Sequence, residues 1–428
     1  GMNSEKRVLY APLCDAFILV FVAALALVLT ASLLARTGMP FTAAYPCGIV
    51  SCVIGTLMAS RGGRTLIAFP SPSITAWLVY EEIIARGIAW QELLGIAALV
   101  SFSGALLTRT KYAAALQASL PPIIRTGLIF GLGLTMLITA ALYARILLPS
   151  PWALTMGGTL SDPLTYYTLI GVLLVLLLHA MRVRFALPLG MGIVTALTWA
   201  EGFWEIPAAP FLQPDILTTA FVLTAPGAGD FLPAAALGLT LLFTLAVEST
   251  VVLSARTDAE DLRTEQGTLS RLFAVSGFSA LIGSLPLSIA PISAVLPARE
   301  GAPYLCGIPL TAWIFSLFLF LLLPCAPLLQ AVSEFPAAPA VALAVLGLML
   351  LLRALAVLSS LHEPLTLRES AVIAAFLLAA YDIKTGLTAA LLTWMLLTAV
   401  CGERYRIARG TWELAMLLAV LALLKWTT

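Results

Sequence analysis

Between residues 64 and 84 the chain reads RTLIAFPSPSITAWLVYEEII, an apolar run that meets Pro70-Ser71-Pro72-Ser73 and then resumes as a helix-like pattern. Proline has no backbone N–H to donate and pushes the residue before it out of the helical region, so one continuous helix through Phe69-Pro70-Ser71-Pro72 is not expected. The segment has to be broken. The chain is 61% hydrophobic and 11% charged over 428 residues, a composition that no soluble domain of this length reaches, so its solvent is lipid. In a bilayer, backbone outside a helix is tolerated only where protein or a water-filled cavity satisfies it, so a break at membrane depth marks a binding site between helices.

Stretches able to cross about 30 Å of hydrocarbon as helix, roughly 20 residues, fall at 13–35, 41–60, 91–108, 121–142, 162–180, 184–201, 231–254, 304–323 and 335–358. Shorter or interrupted segments fall at 64–84, 269–284, 286–298, 368–383, 386–401 and 411–427. The fold class is therefore an all-α polytopic membrane protein of about 14 segments, with 411–427 as an open fifteenth. Glu201 to Asp230 and Ser254 to Arg271 are the longest hydrophilic connections. With the N-terminus (Lys6, Arg7) cytoplasmic, alternation puts most Arg and Lys inside and only Arg36, Arg86, Arg145 and Lys384 outside. The two halves also match: CVIGTL (52–57) precedes the Pro70 break, and ALIGSL (280–285) precedes PLSIAPISAVL with a break at Ala290-Pro291. Seven segments per half make the second repeat (about 230–401) inverted relative to the first (about 13–201), so the two broken segments, three and ten, meet near the midplane.

Composition also excludes. A net charge of +1 argues against nucleic acid as a partner. The six cysteines (Cys14, Cys47, Cys52, Cys306, Cys325, Cys401) have neither CxxC spacing nor a neighbouring His, so no metal site is expected. With no Gly-rich Lys loop and no HExxH, nucleotide-driven pumping and zinc chemistry are not expected either, and no cofactor is implied.

LIAFPSPSITAWLVY, ALIGSLPLSIAP and the run AAYDIKTGLTAALLTWMLLTAVCGERY resemble the nucleobase:cation symporter-2 superfamily, nearest its adenine/guanine/hypoxanthine permease branch. The resemblance implies the uracil-permease fold, with a core domain (13–108 and 231–330) and a gate domain (121–201 and 335–428). It further implies that segments three and ten are each an extended piece followed by a half-helix. An acid of the eighth segment contacts the nucleobase in that family, and Glu248-Ser249-Thr250 falls at its place. The family's second acid, after the tenth-segment break, is replaced here by Ala290-Pro291-Ile292-Ser293-Ala294.

Glu248 lies in ALGLTLLFTLAVESTVVLSA, where a carboxylate costs several kcal/mol unless it is protonated, paired or facing a polar cavity. It is the candidate for both substrate binding and proton coupling; the competing reading pairs it structurally with Arg256, two turns on. Ser249, Phe69, Ser71, Ser73, Thr75, Ser288 and Ser293 are the remaining candidate substrate-binding residues. Their hydroxyls and the half-helix amides favour a ligand rich in acceptors. Asp382 and Lys384 form a turn or a gating pair, Arg353 snorkels or holds an anion, and His179 and His362 sit at helix ends. No catalytic residue is assigned.

Three functions compete. The leading one is a secondary transporter of a small planar, nucleobase-like solute in a bacterial-type inner membrane, coupled to a proton or a sodium ion and dimeric in one reading. The alternative is an anion transporter on the same fold (sulfate, benzoate or bicarbonate-like). A remote third, an intramembrane serine protease, rests on Gly277-Phe278-Ser279-Ala280 alone.

Overall fold

Lipid forces backbone N–H and C=O groups into internal hydrogen bonds, and the chain meets this demand mainly with helices. The computed structural model describes residues 2–149, 154–156, 160–256, 262–296, 303–360, 365–378 and 383–427. In the first half, α1 (Met2–Ala35) and α2 (Phe41–Ala59) lead into strand β1 (Ala68–Pro70) and helix α3 (Pro72–Trp77). The latter runs on as a π-helix over Leu78–Ala85. There follow α4 (Trp90–Leu107), the short α5 (Lys111–Ala118), α6 (Pro122–Tyr143), a hairpin of β2 (Leu147–Pro149) and β3 (Leu154–Met156), α7 (Pro163–Ala180) and α8 (Ala186–Ala200). The second half repeats the plan: α9 (Phe231–Ala255), α10 (Leu262–Ile282), β4 (Leu287–Ile289) and α11 (Ile292–Val295). A hairpin of β5 (Tyr304–Leu305) and β6 (Ile308–Pro309) precedes α12 (Leu310–Leu321), α13 (Ala326–Glu334), α14 (Ala337–Ser359), α15 (Leu367–Leu378), α16 (Ile383–Val400) and α17 (Arg409–Thr427).

Among the described residues, seven helices are long and apolar enough to cross a membrane: α1, α2, α4, α6, α7, α9 and α14. The helix α12 qualifies only together with the stretch after it, from which it is bent by 49°. This is an integral membrane protein. Hydroxyls in such helices have no water to turn to, and Thr135, Thr168 and Thr244 each donate to the carbonyl four residues back at 2.7–2.8 Å.

Two expectations need correction. The charged stretch Ser254–Arg271 is not all connection, because α10 already starts at Leu262. Its polar first turns are held from within: Gln117 Nε2 donates to Glu265 Oε2 at 3.0 Å, and Ser270 accepts from Arg109 Nε at 2.9 Å while donating to the Ala105 carbonyl at 2.7 Å. Nor is 304–323 one span, since its first residues pair as the β5–β6 hairpin and the helix begins at Leu310. The connection 201–230, with its four prolines, is pinned by backbone bonds to Pro324, Thr42, Leu281 and Gln91, and so straps one end of α2, α4 and α10.

The helices pack by a pattern that survives exchange of the halves. Just as α7 lies on α14 and α8, α15 lies on α6 and α16; α1 on α12 is answered by α9 on α4. The exchange relates α6 and α14 to each other, and they cross backbone to backbone at two glycines. A Cβ on Gly133 would meet the Gly347 carbonyl oxygen at 3.0 Å, and a Cβ on Gly347 would meet that of Gly133 at 2.8 Å and the Leu137 nitrogen at 3.1 Å. Close approach of this kind needs a residue without a side chain. Gly347→Ala is expected to destabilise the protein by about 1–3 kcal/mol through overpacking. Gly192→Ala, where a Cβ meets nothing within 4 Å, is expected to leave the melting temperature in detergent unchanged or slightly raised.

Candidate functional site

The site is organised by two strands of three residues, one from each half. They run antiparallel, with Ala68 opposite Ile289, Phe69 opposite Ser288 and Pro70 opposite Leu287, and the Ala290 N–H donates to the Ile67 carbonyl at 2.7 Å. Antiparallel pairs alternate between residues that exchange bonds and residues whose N–H points away. The alternation leaves Ala68, Leu287 and Ile289 with outward N–H groups, and puts Pro70, which has none, at the fourth such place.

Hydroxyls on the neighbouring helices take up those groups. Thr56 Oγ1 accepts from the Ala68 N–H at 3.1 Å, Ser276 Oγ from Leu287 at 2.9 Å, and Ser249 Oγ from Ile289 at 3.3 Å. Ser293 Oγ accepts from the Ile67 N–H at 2.9 Å. Carbonyls are served likewise: Ser60 donates to Leu66 and Ser279 to Leu285. Arg256 Nη1 donates to Ser293 at 2.8 Å and to Thr65 at 3.1 Å. Arg256 therefore ties the backbone of both halves together, a task different from the structural partnership with Glu248 weighed in the sequence. Ser279, the serine of the protease reading, is buried and spends its hydroxyl on the Leu285 carbonyl.

Of the eight candidate residues, three form one chain. Ser71 Oγ lies 2.9 Å from Ser73 Oγ, and Ser73 Oγ donates to Glu248 Oε1 at 2.9 Å. Ser71 is the N-cap residue of α3, extended at φ −63° and ψ 127°, and Pro72 begins the helix with the fixed φ that suits that place. The Ser71 side chain itself makes no capping bond to this helix start. Ser73 is exposed and Glu248 half-buried, although the strands beside them are closed off. The chain is thus accessible from outside the closed strands. Phe69 and Ser288 are buried and face each other across the strands. Ser249, Ser293 and Thr75 are brought to the same place but hold backbone, Thr75 through the Ser71 carbonyl at 2.8 Å.

Other candidates fall elsewhere. Arg353 Nη1 donates to the Ala255 carbonyl at the end of α9, at 2.8 Å. His362 and Asp382 lie outside the described residues, as does the side chain of Lys384. A second buried acid escaped the sequence reading: Glu82, on the π-helix that continues α3, is 3% exposed and 3.5 Å from Arg86. The signal was there, an acid four residues before an arginine in an apolar run.

No family model matches the chain. In sequence it is 22% identical over 312 residues to the adenine permease AdeP of Escherichia coli K12, which spans 72% of this chain and 70% of that protein. It is 25% identical over 255 residues to the putative permease MJ0326 of Methanocaldococcus jannaschii, spanning 59% of this chain and 55% of that one. The chain thus shows weak sequence similarity to permeases of the nucleobase:cation symporter type. Like them it is a membrane transporter. The fold of this permease relative also matches the transmembrane domain of a cyanobacterial bicarbonate transporter, BicA, at a TM-score of 0.55 and 16% identity, over 88% of this chain and 96% of that one. The match to SLC26A9 has a TM-score of 0.51 at 12% identity, over 90% of this chain and 65% of that one. This chain, BicA and SLC26A9 share the uracil-permease fold.

The division of labour among the hydroxyls is testable in the permease. Ser293→Ala and Ser276→Ala each leave a buried strand N–H without its acceptor and are expected to lower stability by about 1–3 kcal/mol. Ser73→Ala, at an exposed position, is expected to stay within about 0.5 kcal/mol of the parent. Thermal melts of the three purified variants check this.

Proposed function

We propose that the protein is a secondary active transporter of a small planar solute of the nucleobase type, bound at the strand crossing and driven by a proton carried on Glu248. The observation that carries this reading is the Ser71–Ser73–Glu248 chain, which starts at the break of the third segment and ends in an acid. A carboxylate there can accept from the N–H edge of a base, and Ser73 and the start of α3 can donate to its carbonyl oxygens. Protonated, Glu248 keeps one oxygen as an acceptor for the base N–H and gains an O–H that can donate to a base carbonyl, which links solute binding to a proton. Phe69 and Ser288 form the floor. Residues 13–108 and 231–330 are proposed to move as the core against a gate of 121–201 and 335–428, with the N-terminus in the cytoplasm of a bacterial-type inner membrane. A homodimer and sodium coupling belong to the same proposal as variants.

One observation favours a second reading, an anion transporter. After the tenth-segment break the chain offers Ser293 and no carboxylate, and with one acid fewer the site repels an anion less. Binding screens separate the two. By thermal shift against nucleobases, aromatic acids and small oxyanions, the first reading expects stabilisation by bases rich in carbonyl acceptors, such as uracil or xanthine. Tight guanine binding with none of uracil, xanthine or anions contradicts the polarity argument.

Glu248→Gln tests the coupling. An amide is easier to bury than a charge, so the variant is expected to fold with an unchanged melting temperature while substrate-driven proton movement in proteoliposomes falls to background. Unchanged proton flux rejects the coupling role. A drop in stability of about 3–5 kcal/mol instead marks Glu248 as half of a structural ion pair.

A further inference from the structure

The face of α9 turned away from the strands borders a cavity. Leu239, Leu242, Phe243, Ala246, Val247 and Thr250 recur at helical spacing and line a space of about 250 Å³, closed by Leu269 and Phe273 of α10 and by Leu414 and Leu421 of α17. Its wall is almost entirely carbon. Of the polar side chains that reach it, Thr108 donates to the Gly104 carbonyl at 2.8 Å and Gln117 to Glu265 at 3.0 Å. Gln266 differs: its Nε2 is buried and has no hydrogen-bond partner among the described residues. An amide left this way costs about 1–3 kcal/mol, so the site asks for a ligand with an acceptor beside a long apolar part.

The mouth of the cavity identifies the source of that ligand. Leu107, Leu239 and Leu417 line it and are 52%, 48% and 39% exposed, so it opens onto the outer surface beside the end of α4, a helix able to span the membrane. Water gains nothing in an apolar hole, whereas a lipid tail fills it and recovers the dispersion contacts that a void forfeits. We propose that one acyl chain of a membrane phospholipid occupies this cavity, with its ester carbonyl accepting from Gln266 Nε2. The site lies between α4, α9 and α10 on one side and Leu128 of α6 and Leu387 of α16 on the other. The chain therefore wedges beside the helix that carries Glu248, whatever solute the protein moves.

Native mass spectrometry of the full chain, purified from membranes and washed extensively in lipid-free detergent, tests the assignment with the native phospholipids as probe. The wild type is expected to keep one phospholipid per chain. Ala246→Phe, which fills the cavity from α9, should reduce retention at least tenfold, and Ala113→Phe should do the same from α5. Gln266→Leu, close to isosteric, should reduce it about fivefold, the worth of one hydrogen bond of about 1 kcal/mol. Leu99→Phe, on an exposed part of α4 outside the cavity, should change nothing. The proposal is overturned if the wild type holds no phospholipid, or if the folded variants, judged by their melts, hold as much as the wild type. Should both filling variants fail to fold, Gln266→Leu decides alone.

Discussion

The pairing of Ala68–Pro70 with Leu287–Ile289 is the interaction on which the rest of the structure depends. Neither strand can satisfy its backbone alone in a medium without water, so each half of the chain is incomplete until the other is in place. Three residues make too short a ladder to stand on their own. The surrounding helices complete it with side chains: Thr56 and Ser276 hold equivalent N–H groups, and Ser60 and Ser279 equivalent carbonyls. Arg256 then ties Thr65 to Ser293 across the halves.

The symmetry fails at the candidate site. Pro70 has no N–H, while Ile289 has one and gives it to Ser249. Thr30, which lies as far before Ala68 as Ser249 lies before Leu287, has no strand N–H to accept and donates instead to the Leu27 carbonyl of its own helix at 2.9 Å. By the same spacing Leu29 stands where the second half carries Glu248. A single acid thus stands beside a symmetric frame, directed to Ser73 of the opposite repeat.

Much of this was legible in the sequence, because prolines and an intramembrane acid have few physical readings. Pro70 and Pro72 demanded the break, the matching Pro291 marked its twin, and Glu248 stood out by the cost of its surroundings. What each hydroxyl does was not legible. Ser249 and Ser293 look like ligand groups by position, yet the direction of a hydroxyl is decided by which backbone group the other half presents, and that is tertiary information. Arg256 hid for the same reason, since its partners are carbonyls far away in the chain. The early start of α10 is not legible because Glu265 reads as part of a hydrophilic stretch until Gln117 is brought against it.

The central claim, that the two broken segments meet as paired strands in a fixed register, is tested most directly by a disulfide. Phe69 and Ser288 are opposite one another, and the Cα separation of such a pair, about 5.5 Å, lies within the roughly 4.4–6.8 Å that a disulfide spans. With the six native cysteines replaced, Phe69→Cys/Ser288→Cys is oxidised in membranes, alkylated without reduction, and weighed by mass spectrometry. The account predicts near-complete bridging, seen as the absence of both alkyl groups. Two freely alkylated thiols would contradict it, because residues 64–84 would then not meet the second half where the site is built.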